Sequence, residues 1–413
     1  MFKKYLISSF IFINFFSFIL GFFFLEEHGA SNLDAELHTY PAIEGLKNNF
    51  LENIITYGKY GEFSYPLHHI IFSIFNPFET GSLEFRLISV FWSLLILIFF
   101  FYIIKKKFNF RNYEVIFLSS LLLLSPYFRT SAFWGMTENT GILFLILSIL
   151  FYNYQKKLNN INNIFFICLF SSLALYSRVQ YVFICLFFYL DIIFSSSNKH
   201  RIYSTLFYIF LSIPALILIY FWGGVIDEQH VDEFNSLINF KTIPRTLLVI
   251  FSLIGFYSVP FLICFISNFK SLIKTYIIKY LFIFILLVSM FYILNLDILS
   301  LNENRDYAYG QGFLANYLYQ ITKIQISYLI FSALGLCVLF HLSSSVKNKI
   351  LIYCLLIIFS FRVHFFTEYL DPLLFVLAFC LLEIKQIKEI VKLKNLIIFE
   401  IFFILTLFGA ILL

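Results

Sequence analysis

Long apolar runs recur along this sequence from one end to the other, and they constrain the fold more than any other feature. A helix needs about 20 mainly apolar residues to cross the hydrocarbon core of a bilayer. The runs lie at 5–25, 83–104, 113–131, 139–154, 164–177, 179–195, 203–222, 246–267, 276–294, 324–342, 350–362, 370–382 and 395–413. They predict an all-α polytopic membrane protein with about 13 transmembrane helices. Short runs in 164–195 and 350–382 leave the exact count open.

The composition excludes most other classes of protein. Hydrophobic residues make up 61% of the chain and charged residues 13%, against roughly 25% charged residues in a soluble domain. The six cysteines all lie inside apolar runs and none has metal-ligand spacing, which is typical of buried thiols. Phosphate-binding glycine motifs, HExxH and CxxC are all missing from the sequence. Nucleotide hydrolysis and zinc-protease chemistry therefore have no support, and the lysine runs read as membrane anchors rather than a nucleic-acid surface.

Basic and acidic residues fall in alternate connections between the runs. One set of connections holds mainly basic residues and few acids, namely Glu114, Glu383 and Glu389, with Asp191 at the end of a run. Its basic residues are Lys3, Lys4, Lys105, Lys106, Lys107, Arg111, Lys156, Lys157, Lys199, Arg201, Lys270, Lys274, Lys347, Lys349, Lys385, Lys388, Lys392 and Lys394. The other set holds the acidic segment 26–82 together with Glu138, Asp227, Glu228, Asp232, Glu233, Asp297, Glu303, Asp306, Glu368 and Asp371. By the positive-inside rule, the N-terminus is predicted to be cytoplasmic and the first loop periplasmic. The expected location is a bacterial inner (plasma) membrane, which the chain crosses many times.

Two polar segments interrupt what otherwise reads as a single transmembrane domain over 1–413. The first, 26–82, is predicted to be an external loop with amphipathic helices, and the second, 295–323, a further external loop rich in Tyr, Asn and Gly. Within the first loop, 65–78 is apolar but too short to span, and it is predicted to lie in the outer interface. Its adjacent His68 and His69 would point in different directions, so at most one of them would be a ligand.

Asp34 and Glu36 are the first candidates for chemistry, because they follow the first apolar run closely. An acid held near the membrane surface could act as general base on an acceptor hydroxyl, or it could bind a divalent cation. The alternative is that both are ordinary solvated charges of a loop.

Glu138 is a third acidic candidate, at the outer start of a run. The charge pattern puts it on the same side of the membrane as Asp34, where two carboxylates could converge for acid–base or metal chemistry. The alternative is an acid favoured by the dipole of a helix N-terminus.

Arg178 lies between two short apolar runs, where a lone arginine usually has an anionic partner. A lipid phosphate would suit its guanidinium fork, whereas the alternative is a side chain that reaches the headgroups.

A second polar cluster is formed by Arg362, His364, Glu368 and Tyr369. It is interpreted either as a phosphate or sugar site or as an interfacial belt.

The ordered set of segments resembles the start of the GT-C glycosyltransferases. YPLHHIIFSIF and SLEFRLISVFWSLLILIFFFYIIKKKF follow the first loop, with Pro66-Leu67 and Arg86-Leu87 where that family has a PPL helix and an Arg-Leu-centred span. LLLLSPYFRTSAFWGMTENTGILFLILSILFY and LALYSRVQYVFICLFFYL are similar to later spans, with Arg178 where a lysine is usual. FFTEYLDPLLFVLAF is similar to the late RYLLPLLP segment. The resemblance is to the protein-mannosyltransferase and RgtA/B/C/D-like branch, and it covers about the first 195 residues and a short C-terminal patch.

That resemblance implies an inverting glycosyltransferase that moves a sugar from a polyprenyl-phosphate-linked donor to a glycan, lipid or protein acceptor on the periplasmic face. It would make Asp34 the base, and Glu36 and Glu138 supporting acids or ligands of a divalent cation. Arg178 would contact the lipid phosphate, with Arg362, His364 and Tyr369 as further phosphate or sugar contacts. Two departures bear on these roles. Ala35 separates the acids that the family has side by side, and Glu368 stands where an arginine is usual.

A polysaccharide polymerase or a lipid-linked saccharide transporter is the alternative of a different class. Polymerases usually carry their large loops later in the chain, whereas here the acidic loop follows the first run directly. A transporter would place charges inside its spans, along a central path. Nearly all charges here lie at the ends of runs, and Glu400 is the clear exception.

Overall fold

The computed structural model describes residues 2–28, 31–60, 65–224, 243–264, 326–361, 367–384 and 387–411, with the single positions 282, 284, 285 and 289. Those residues form helices and no strands. The helices are α1 Phe2–Phe23, α2 Ser31–Asp34, α3 Tyr40–Asn48, α4 Phe50–Ile55, α5 Leu67–Phe75, α6 Leu83–Phe108, α7 Asn112–Ser120, α8 Pro126–Trp134, α9 Thr137–Leu158, α10 Ile161–Ser177, α11 Val182–Ser195, α12 Asn198–Trp222, α13 Ile243–Cys264, α14 Ile326–Leu342, α15 Val346–Ser360, α16 Leu373–Cys380 and α17 Leu393–Ile411. A π-helical turn, Ala35–Thr39, joins α2 to α3.

Five of these helices, α1, α6, α12, α13 and α17, are long and apolar enough to cross a membrane. A sixth span results if the broken pair Asn112–Leu124 and Pro126–Trp134 counts as one. Several apolar helices of this length indicate a multi-pass helical membrane protein. The count of 13 stays a prediction. Helices occupy the predicted runs in the described part of the chain, but some, such as α16, are short, and the run at 276–294 lies almost entirely outside it.

The predicted span 113–131 is not one continuous helix. The chain leaves helical geometry at Ser125, which has extended backbone angles, and a new helix begins at Pro126. Proline disfavours helical geometry in the residue before it, and its missing N–H costs nothing at the first position of a helix. The Ser-Pro pair therefore breaks a run that hydropathy alone reads as unbroken.

The residues group into two compact units. One unit contains 16–107 and 127–236, and its long helices include α6, α9 and α12. In it α10 packs against both α9 and α12, and α9 is buried along most of its length. By contrast, few residues of α12 are fully buried and many of its apolar side chains are exposed, as expected of a helix that faces lipid on one side.

The first loop belongs to the same unit, and most of its described residues between 31 and 75 are in short helices. Pro41 lies at the start of α3, and this helix buries one face that includes Ile43 and Leu46. Tyr57 stacks on Trp222 at the end of α12, with ring centroids 6.1 Å apart. Short helices therefore occur in this segment, and α5, at nine residues, is too short to span a bilayer. That the segment is an external loop with amphipathic helices stays a prediction. Their depth relative to a membrane stays a prediction.

The other unit contains 1–15, 108–126 and 237–413. Among the described helices of this unit, α13 and α14 pack closely and approach each other through Gly255 and Gly335. In α17, Glu400 is only 1% exposed, and the Asn14 side chain donates hydrogen bonds to it and to Ser120. Among the described residues, the other oxygen of Glu400, Oε1, is buried without a hydrogen-bond partner. The predicted second loop, 295–323, lies outside the described residues.

Candidate functional site

Glu138 and Arg178 form a buried ion pair, so two of the predicted site residues are brought together. Arg178 Nη2 lies 2.6 Å from Glu138 Oε1, and the two side chains are 17% and 9% exposed. Arg178 Nε also donates to Thr137 Oγ1 at 2.9 Å. The predicted anionic partner of Arg178 is thus a carboxylate of the same chain.

The local backbone explains how this pair forms. Glu138 lies in the first turn of α9, where the helix dipole favours a negative charge. Arg178 ends α10 in extended geometry, so its side chain leaves the helix instead of continuing it. Among the described residues, the second oxygen of Glu138, Oε2, is buried without a hydrogen-bond partner. A buried acceptor in this state is costly, and a donor from a bound molecule would relieve that cost.

Asp34 and Glu36 lie exposed at the junction of α2 and the π-helical turn. The same turn buries Ala35 and Thr39, and the Thr39 hydroxyl points to Met136 Sδ at 3.8 Å. Met136 is two residues before Glu138, so the turn, which contains Glu36 and directly follows Asp34, packs beside the start of α9. The two carboxylates are therefore exposed to solvent, whereas Ala35 and Thr39 of the same segment are buried.

Tyr40 follows this turn and is buried against Phe85, with ring centroids 5.5 Å apart. Burial raises the pKa of Tyr40 to about 12, with a smaller lowering effect from Arg86 and a raising effect from Glu36. The Tyr40 hydroxyl therefore stays protonated at neutral pH and is not a base.

A second buried charge cluster, formed by Glu26, His28 and Arg129, was missed by the sequence reasoning. Arg129 Nε donates to Glu26 Oε1 at 2.6 Å, and Arg129 Nη2 pairs with the other oxygen. His28 Nε2 lies 2.8 Å from the same carboxylate, and Arg129 also donates to the backbone oxygen of Ser17 at 2.9 Å. A Cβ at Gly21 would lie 2.2 Å from the ends of the Arg129 and Glu26 side chains, so a larger residue there would displace this ion pair.

Burial by itself would raise the pKa of Glu26, but the hydrogen bonds from His28 and Arg129 and their charges lower it below its ordinary value. The carboxylate is therefore ionised at neutral pH and locked in an ion pair. One signal could have revealed it: Arg129 is a lone arginine in an apolar run, like Arg178, and the same argument demands an anion beside it.

Arg86 has a structural role in the same unit. Its Nε donates to the Phe133 carbonyl at 2.8 Å and its Nη2 to the Phe22 carbonyl at 3.1 Å. These carbonyls lie in the last turns of α8 and α1, where helices leave acceptors without an internal partner and favour positive charge. Arg86 thus caps two helix ends and stacks over Trp134.

The two adjacent histidines are both buried and both hydrogen-bonded. His68 lies 2.7 Å from Thr140 Oγ1 and 2.8 Å from the Gly135 carbonyl. His69 lies 2.5 Å from the Tyr57 hydroxyl, and the two imidazole planes are perpendicular. They face different directions, as predicted, and each contacts groups of the protein.

Tyr369 belongs to the other unit, where its ring stacks on Phe359 at 6.4 Å. Its predicted role as a phosphate or sugar contact stays a prediction. Arg362 and His364 lie outside the described residues, so their predicted roles stay predictions. No group of three His, Cys, Asp or Glu side chains in the described ranges could hold a metal ion.

Comparisons with known proteins found no matching family model, no matching curated protein and no matching solved structure.

Proposed function

We propose that this chain is a membrane glycosyltransferase of the GT-C type, in the inner membrane of a bacterium, with its N-terminus in the cytoplasm. It transfers a sugar from a polyprenyl-phosphate-linked donor to a glycan, lipid or protein acceptor on the periplasmic face. One observation carries the proposal. The loop directly after α1 is folded into helices, and it holds two exposed carboxylates on a turn anchored to Met136, beside the Glu138–Arg178 pair.

In the proposed reaction, Asp34 accepts the proton of an acceptor hydroxyl. The hydroxyl oxygen then attacks the anomeric carbon of the donor sugar and forms the new glycosidic bond. The bond from that carbon to the lipid phosphate oxygen breaks, and the phosphate leaves with the electron pair. Attack opposite the leaving group inverts the anomeric centre. General-base assistance of this kind typically contributes about 10²–10⁴ to a rate.

Arg178 is the proposed contact for the departing phosphate. Glu138 and Thr137 hold its guanidinium in one orientation, which reduces the entropy lost when a phosphate binds. Glu36 adds negative charge beside the proposed base. A divalent cation would need several oxygen ligands, and the described residues do not cluster three suitable side chains. The proposed steps therefore use only groups of the protein.

The decisive experiment measures release of polyprenyl phosphate by purified full-length protein from a panel of polyprenyl-phosphate sugars. Wild type should turn over at least one donor, and Asp34→Asn should lose about a hundredfold or more of that rate. Glu52→Gln is the matched control, because Glu52 is an exposed acid of the same loop with the same change of charge. If no lipid-linked sugar binds or reacts, the proposal fails.

A lipid-linked saccharide transporter is the second candidate, and Glu400 is the observation that favours it. Carboxylates buried in membrane helices commonly mark ion or substrate pathways, and Glu400 is buried beside Asn14. If transport is coupled through Glu400, the Glu400→Gln variant should no longer take up lipid-linked saccharide into vesicles. A transferase would keep its release of polyprenyl phosphate in the same variant.

A further inference from the structure

A cleft with four lysines lies where the C-terminal ends of α6 and α9 meet, within one compact unit. Its volume is about 220 Å³, and its lining includes Lys106, Lys107, Lys156 and Lys157. The described residues that line it include no carboxylate. This cleft lies at the opposite end of α9 from Glu138, and the proposed transfer reaction makes no use of it.

The concentration of positive charge in this cleft is the first argument for an anionic ligand. The sequence has no Asp or Glu from 85 to 113 or from 139 to 190, the stretches that contain the two helix ends. Helix C-termini favour nearby cations, which offsets part of the repulsion among the lysines. That effect explains lysines at a helix end but gives no reason for four of them to surround a cavity.

Tyrosine and asparagine side chains equip the cleft to bind an oxyanion. Tyr154 and Asn153 line it, and the Tyr154 hydroxyl lies 2.6 Å from that of Tyr102. Lys106 Nζ lies 3.7 Å from the centroid of the Tyr154 ring, which holds the ammonium over an aromatic face. Hydroxyl, amide and ammonium donors around one space suit the oxygens of a phosphodiester.

The apolar surroundings distinguish a lipid from a free anion. Ile103 and Leu150 line the same cleft as the lysines. Along α6, Phe91, Leu95, Ile98 and Tyr102 are all exposed, and their spacing puts them on one face that leads to Lys106. A charged end joined to an exposed apolar stripe has the amphipathic pattern of a phospholipid.

The volume is also adequate for a headgroup. A water molecule takes about 30 Å³ of liquid, so 220 Å³ holds a group several times larger. The charge pattern of the sequence predicts this end of α6 to be cytoplasmic, and the cytoplasmic leaflet carries anionic lipids.

We propose that the cleft between the ends of α6 and α9 binds the phosphate headgroup of an anionic phospholipid, with the acyl chains along the exposed face of α6. The ammonium groups of Lys106 and Lys156 supply most of the attraction. Bound lipid would fix the ends of two long helices and set the depth of this unit in the bilayer.

The test uses delipidated full-length protein in detergent, titrated with dioleoyl phosphatidylglycerol and followed by native mass spectrometry. Dioleoyl phosphatidylcholine and inorganic phosphate are titrated in parallel. Each lysine near an anionic membrane surface contributes about a fivefold gain in affinity, so Lys106→Gln/Lys156→Gln should weaken phosphatidylglycerol binding about 25-fold. Lys106→Arg/Lys156→Arg should restore most of that binding, because the charge remains.

The matched control is Lys349→Gln/Lys388→Gln, which removes the same charge from exposed lysines outside the cleft. Its affinity for phosphatidylglycerol should stay within about twofold of wild type. An equal loss in both double variants would mean a general surface attraction and would overturn the site. If inorganic phosphate competes with phosphatidylglycerol at a similar concentration, the cleft binds a free anion, and the proposal of a lipid ligand is wrong.

Discussion

Arg178, at the end of α10, meets Glu138, in the first turn of α9, through an ion pair of 2.6 Å that is largely closed to solvent. Breaking a buried pair is costly because the remaining charge stays desolvated without a partner. The pair therefore joins the packing of α9 on α10 to the orientation of the guanidinium that we propose as the phosphate contact.

Glu138→Gln should lower the free energy of unfolding by about 3 kcal/mol, because it removes the charged partner of the largely buried Arg178 guanidinium. Arg178→Gln should cost a similar amount, since the carboxylate is then unpaired. The double variant Glu138→Gln/Arg178→Gln should be more stable than the sum of the two losses implies, by about 2 kcal/mol. Urea unfolding in detergent, followed by tryptophan fluorescence, measures all four proteins. Strict additivity would mean that the two residues do not interact in solution.

Stability at acid pH should depend on Glu26. Its pKa is lowered from the ordinary value of 4.5, because hydrogen bonds from His28 and Arg129 outweigh the effect of burial. A lowered folded-state pKa contributes stability above the unfolded-state value, and this contribution is lost as pH falls through the folded-state value. We therefore expect the urea concentration at the unfolding midpoint to fall more steeply below about pH 5 in the wild-type protein than in Glu26→Gln.

The control for this pH effect is Glu27→Gln, which removes the neighbouring exposed carboxylate. Its unfolding midpoint should follow the wild-type curve over the same pH range. Parallel curves for wild type and Glu26→Gln would show that the Glu26–Arg129 pair does not stabilise the folded state.

The sequence predicted a helical membrane protein correctly, because apolar runs long enough to cross a bilayer are visible without any tertiary information. The count of 13 spans stays a prediction. The sequence also predicted an anionic partner for Arg178, because a lone charge among apolar residues needs one. It could not identify that partner as Glu138, since the contact depends on how α9 and α10 pack. Glu26 and Arg129 are 103 positions apart, and no local pattern signals their pairing.

The break at Pro126 shows a different limit of hydropathy. The run 113–131 is apolar throughout, so its mean hydropathy predicts one span, and only the Ser-Pro pair indicates an end. The candidate site was predicted as a set of acids on one side of the membrane. The structure anchors the Asp34 turn beside α9, but the roles of these acids stay proposals.

Close packing of α13 on α14 should make Gly255 intolerant of any side chain. A Cβ at Gly255 would lie 2.0 Å from the Phe331 carbonyl oxygen, and one at Gly335 would lie 1.9 Å from that of Phe251. Both obstacles are backbone atoms, so the helices must separate, as at other membrane helix pairs that meet through small residues. Gly255→Ala should lower the free energy of unfolding by about 2–3 kcal/mol, measured by urea unfolding in detergent.

Ser258→Ala is the control for this helix pair, because it lies one turn along the same helix and adds no volume. Its effect should stay within about 0.5 kcal/mol. A Gly255→Ala protein as stable as wild type would mean that the two helices do not approach this closely.

Substitutions of Asp34 and of Glu36 should have clearly different effects on the transfer rate, because only one of the two carboxylates can accept the proton of the acceptor hydroxyl. With a donor that wild type accepts, Asp34→Asn should lower kcat by about 10²–10⁴ and leave KM for the lipid-linked donor little changed. Glu36→Gln should lower kcat by about tenfold or less, since it removes only a neighbouring charge. Both side chains are exposed, so thermal unfolding of each variant should match wild type. A larger loss of kcat in Glu36→Gln than in Asp34→Asn would transfer the role of base to Glu36, and full activity in both would remove it from this loop.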